Sequence, residues 1–465
     1  MTRKSNSSSV DQAQLLGRHM ETTLSEFSLA QSLSIKELFE HVRCEDPSAF
    51  MPPMADGVYF TLKGYRALTQ WASILRENDA YVSGQSDALS WANAVRNGFV
   101  AAVRELLADK LEDGDATVWF SDRTKTLALE VIANRSVAAT HYIPCYLFRD
   151  EVAKSFKIGP VQFFRGSELE TRVEEERGPA PNPKKFRHFG AGIMERMAVF
   201  PWIAAIRIED CEQALAHRRA TEAVRLTIAG LGLLFPHSQC RDLSVAQERS
   251  SPNTTVKMMQ VPDRGCFGSV QSNRPQIGGK PNWVAELLGS NREYFDWLGS
   301  AIESSYLNKA AVRPVCKLLR EYWLNSLYWY YAGCAEISDA RATICFSSSL
   351  ESLAERDGAE AIIQLCERML NNKRSEIIAP TRQLTLAMVI NEIYKLARSE
   401  VVHGGRFVLT REYAVQRDLA AQISGLVLLE FQHHLSVYEK IFALNAEASD
   451  RKDIFLRYRD SVASA

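Results

Sequence analysis

Apolar residues recur at helical spacing through the last third of the chain. Between 384 and 403, Leu386, Val389, Ile390, Ile393 and Leu396/Ala397 fall at i, i+3, i+4 and i+7, which makes one apolar face. The same spacing runs through 292–307, 315–334, 340–355, 360–370 and 411–442. It predicts an all-α helical bundle over residues 291–445. The region from 15 to 290 is mixed. "ATVWFSDRTKTLALEVIANR" (116–135), "GPVQFFRG" (159–166) and "VFPWIAAIRIE" (199–209) read as strand-like runs broken by turn residues. Residues 211–235 read as an amphipathic helix that becomes apolar all round. The turn-rich stretches 247–256 and 271–282 place a domain boundary just after the second. The expected fold class is α+β, with an N-terminal mixed α/β domain (15–290) followed by the bundle. A polar, Ser-rich arm (1–14) and a C-terminal tail (446–465) flank them.

Length and composition narrow the function classes. A chain of 465 residues is too long for one ordinary core. Lys and Arg total 55 against 56 Asp and Glu, so capture of nucleic acid by overall charge is excluded and any such binding needs a local patch. Nine cysteines, none in a C-x-x-C pair, argue against a disulfide framework and a zinc ribbon. No apolar leader stands at the N-terminus, and the longest apolar runs, such as 226–235, are about half a membrane span. The expectation is a cytoplasmic protein with no membrane partner.

The candidate chemistry lies in "YKLARSEVVHGG" (394–405). Gly404 and Gly405 are a helix stop, because glycine takes the left-handed conformation cheaply. His403 then belongs to a last turn, where the helix dipole favours its protonated form. Arg398 falls just off the apolar stripe. On an unbroken helix the two side chains point about 140° apart. They converge if the helix breaks between them, or if a second copy supplies the missing half. Arginine offers a planar fork that matches phosphate, and histidine moves a proton near neutral pH. Together they suit attack of a ribose 2′-hydroxyl on its own phosphodiester, with guanidinium holding the developing charge. Spacing alone is weak support: Arg135 and His141 make a similar pair.

The context adds to the spacing. Tyr394, Arg398, Ser399, His403 and Gly404 resemble the Arg-x4-6-His motif of the HEPN superfamily, in its ApeA-like branch. The stretch 342–355, with Glu351 before Leu353, looks like that family's first helix, and 412–435 like its closing helix. The resemblance covers roughly 320–440. It implies a helical bundle that pairs as a homodimer around a composite ribonuclease site. It also implies an RNA substrate, no cofactor and no metal, and a frequent role in toxins and anti-phage defence. Arg398 and His403 are then the catalytic pair and Ser399 the supporting polar residue. Ala397 departs from the polar residue often found before the arginine. Some members are catalytically silent and serve as RNA-binding or dimerisation modules, which is the alternative reading.

Other candidates carry less. Lys184, Lys185 and Arg187, interleaved with Phe186 and Phe189, are a candidate RNA contact, although such a stretch is more often a solvated loop. His237 with Cys240, and His433 with His434, lack a third metal ligand at useful spacing. "IGGKPNW" (277–283) is no P-loop. The aromatic run 321–333 reads as bundle core.

Overall fold

A computed structural model describes residues 62–109, 116–136, 138–149, 154–177, 192–246, 254–261, 265–272, 277–307, 314–354, 358–394 and 412–442. The expected arm and C-terminal tail lie outside the described residues. Helix and sheet are both present, and the fold is α+β. The chain divides into two compact units: 1–139 with 208–218, and 140–207 with 219–465. The expected boundary near 290 falls inside the second unit.

The described residues of the first unit before 136 are helical: α1 (Leu62–Asn78), α2 (Ala80–Gln85), α3 (Ala88–Asp109) and α4 (Ala116–Arg135). The last of these corrects the strand-like reading of 116–135. Its β-branched and aromatic residues favour strands, but Thr124, Ala128 and Ile132 repeat every four positions and are all buried. That stripe packs with Trp71, Trp91 and Phe99 in one core. Gly98 lets the two helices meet: a Cβ there would lie 2.7 Å from the Thr124 carbonyl oxygen. Trp91 donates its indole N–H to the Ala72 carbonyl at 2.8 Å, so a large ring is buried with its polar atom satisfied. Residues 208–218 join this unit through Glu212, whose N–H bonds the Gln85 carbonyl at 2.9 Å and whose carboxylate accepts from Ser86.

The second unit holds a five-stranded sheet, order β2-β3-β4-β1-β5. Its strands are β1 (Ala139–Tyr146), β2 (Phe156–Ile158), β3 (Val161–Arg165), β4 (Trp202–Ile208) and β5 (Ser244–Val245). The pairs β2–β3, β3–β4 and β1–β5 are antiparallel. The expected strands at 159–166 and 199–209 are therefore β3 and β4. The helix expected at 211–235 is α6 (Gln213–Gly232), which follows α5 (Leu169–Arg177) and a helical segment at 192–198, and its end is buried on nearly every side. The chain continues through α7 (His237–Cys240) and a hairpin, β6 (Thr254–Val261) with β7 (Gly265–Ser272). Phe148 ties sheet to helix, with its ring 5.0 Å from that of Trp283 and its backbone carbonyl accepting from Trp202.

Helices follow: α8 (Trp283–Ser290), α9 (Arg292–Ile302), α10 (Pro314–Ala335), α11 (Asp339–Leu353) and α12 (Ala359–Leu370). A short hairpin, β8 (Ile377–Ala379) with β9 (Leu384–Thr385), leads to α13 (Leu386–Asn391), and α14 (Ala414–Phe442) closes the described chain. Helices α10, α11 and α14 share a core in which Trp323, Phe346 and Phe431 are fully buried. Small residues set their spacing. A Cβ on Gly333 would meet the Phe346 ring at 2.7 Å, and buried Ser326 donates to the Ser349 carbonyl at 2.8 Å. Trp323 donates to the Leu428 carbonyl at 2.9 Å, so the expected aromatic core at 321–333 is present. Helix α9 meets the β2–β3 turn at Gly159 and Gly299. A Cβ on either residue would come within 2.3 Å of the other's backbone, and Gly159 also has φ of 52°.

Candidate functional site

The sequence-predicted catalytic residues Arg398, Ser399 and His403 lie outside the described residues, as do Lys184, Lys185 and Arg187. What is described is α13, the helix that precedes the motif in the chain. Thr385 caps α13 by accepting a hydrogen bond from the Met388 N–H. Leu386, Val389, Ile390 and Ile393 are all buried, so the apolar stripe read from the sequence faces the bundle. Met388, on the opposite face, is half exposed.

Polar groups hold α13 from outside. Arg382 bonds the Glu392 carboxylate at 2.9 Å, and the Gln416 amide of α14 donates to the same carboxylate at 3.1 Å. Arg374 reaches Glu360 and Glu367 of α12 at 2.9 and 3.0 Å. The Arg374 hydrogen bond holds the Glu367 carboxyl below the usual carboxylate range. After Asn391 the winding widens to a π-type turn at 392–394.

A second polar region was not foreseen. A cavity of about 580 Å³ opens between α9, α10 and α14. On its floor Arg320 is 7% exposed. Its guanidinium makes a bidentate pair with Glu439, at 2.7 and 2.9 Å. Its remaining terminal nitrogen donates to the backbone and hydroxyl oxygens of Ser300 and to the Ser304 hydroxyl. Trp297 adds an indole donor to Glu439 at 2.9 Å. The sequence signal for this network was a charged residue beside an apolar stripe. Arg320 follows buried Leu319 and precedes buried Trp323, while Glu439 follows buried Tyr438. Burial pushes the pKa of the Tyr294 hydroxyl far above its ordinary range, and that hydroxyl donates to the Gly230 carbonyl at 3.0 Å.

The remaining candidates are structural. His237 pairs with Asp418 at 3.1 Å, and buried Cys240 donates to the Gly232 carbonyl. His433 and His434 stack edge to face on α14. Among the described residues no three His, Cys, Asp or Glu side chains converge as metal ligands. No described helix is long and apolar enough to cross a membrane. Comparison with protein-family models, with curated proteins and with solved structures found no match.

Proposed function

We propose that the chain is a metal-independent RNA endonuclease whose C-terminal bundle is HEPN-like and carries Arg398 and His403 as its catalytic pair. In this reading the N-terminal region is a sensing or regulatory domain, the protein acts in the cytoplasm, and anti-phage defence is its setting. His403 takes the proton of a ribose 2′-hydroxyl and returns one to the leaving oxygen. Arg398 holds the phosphate through a two-pronged contact, and Ser399 supports it. The products are a 2′,3′-cyclic phosphate and a free 5′-hydroxyl.

The observation that supports this reading is the buried stripe of α13, Leu386, Val389, Ile390 and Ile393. It seats the segment that precedes Arg398 in the chain against a bundle, as a positioned catalytic group would require. A homodimer through this helix would bring two pairs around one cleft, which answers the angle of about 140° between the two side chains on an unbroken helix. The test is labelled RNA with purified protein in excess EDTA. Cleavage is expected, and a substrate with 2′-deoxyribose at the cut site is expected to stay intact. An Arg398→Ala chain mixed with a His403→Ala chain should regain partial activity through one surviving cross-pair. Cleavage of the deoxy substrate, or full inhibition by EDTA, would overturn the mechanism. Binding of RNA with no cleavage would favour the silent binding module.

A further inference from the structure

We draw no further inference here: the strongest candidate, the cavity of about 580 Å³ between α9, α10 and α14, carries nothing, because Arg320 and Glu439 on its floor already satisfy each other and nothing in the structure shows what would fill it.

Discussion

The cavity floor and the surroundings of α13 both use Arg–Glu pairs, but the pairs do different work. Arg320 and Glu439 have side chains 9% and 13% exposed and complete each other's hydrogen bonds with help from Trp297, Ser300 and Ser304. Arg374 is about half exposed, and water competes for its carboxylate partners. A buried pair is costly to break, because the survivor is left as a lone charge in a poor solvent. An exposed pair costs little to break and serves to hold a turn in place. An arginine with chemistry to do must differ from both. It has to be positioned by the fold without having its donors used up. That condition separates the role proposed for Arg398 from the observed role of Arg320.

The largest expected effect tests this separation directly. His403→Ala should lower RNA cleavage by about 10²–10⁴-fold while Tm stays near that of the wild type. Arg398→Lys should fail as well, because a lysine is a point charge without the planar fork. Cleavage kinetics beside a thermal melt check both. Wild-type rates in either variant would remove that residue from the chemistry.

Arg320→Ala should show the reverse pattern. Loss of the buried partner should destabilise the protein by about 3–5 kcal/mol. Replacing both members with apolar residues, Arg320→Met with Glu439→Leu, should recover most of that loss. Urea unfolding measures the three proteins. A small change for Arg320→Ala would mean that Glu439 finds water or another cation, and the contrast between buried and exposed pairs would fail.

The same contrast explains what was legible in the sequence. The helices of the second half were readable because Leu386, Val389, Ile390 and Ile393 repeat at one period and are buried on one side. Strands β3 and β4 were readable from their short apolar runs between Gly and Pro. Helix α4 was not: its Thr, Val, Trp and Phe carry strand preference, which its buried stripe of Thr124, Ala128 and Ile132 overrides. The Arg320–Glu439 network was hidden for another reason. Its members are 119 positions apart, and the apolar stripe beside each does not mark the other as its partner. The motif around Arg398 was the opposite case. It is compact in sequence, so it was read there as a candidate, and it lies outside the described residues.

A smaller effect is expected at the cap of α13. Thr385→Ala removes the acceptor for the Met388 N–H and should cost about 1 kcal/mol. If the cap helps to position the proposed catalytic pair, cleavage should fall along with Tm, whereas Arg320→Ala should reduce activity only as far as it unfolds the protein. Measuring rate well below Tm separates the two. An unchanged rate in Thr385→Ala would show that the buried stripe alone seats the helix.

The smallest effect should come from the exposed pair, and its dependence on pH has a definite sign. Arg374 lowers the pKa of Glu367 in the folded protein. The unfolded chain therefore binds a proton there more readily than the native state does. The stabilisation is fully present above the ordinary carboxylate pKa, and it is lost as pH falls through the lowered folded value. Glu367→Gln should consequently lower Tm slightly at neutral pH, and the gap from wild type should close toward the acid end. Thermal melts of both proteins from pH 7 to pH 3 follow that gap. A gap that stays constant across the range would mean that shape and packing, not charge, account for what Glu367 contributes to the turn before β8. The exposed pair would then differ from Arg320–Glu439 in kind as well as in size.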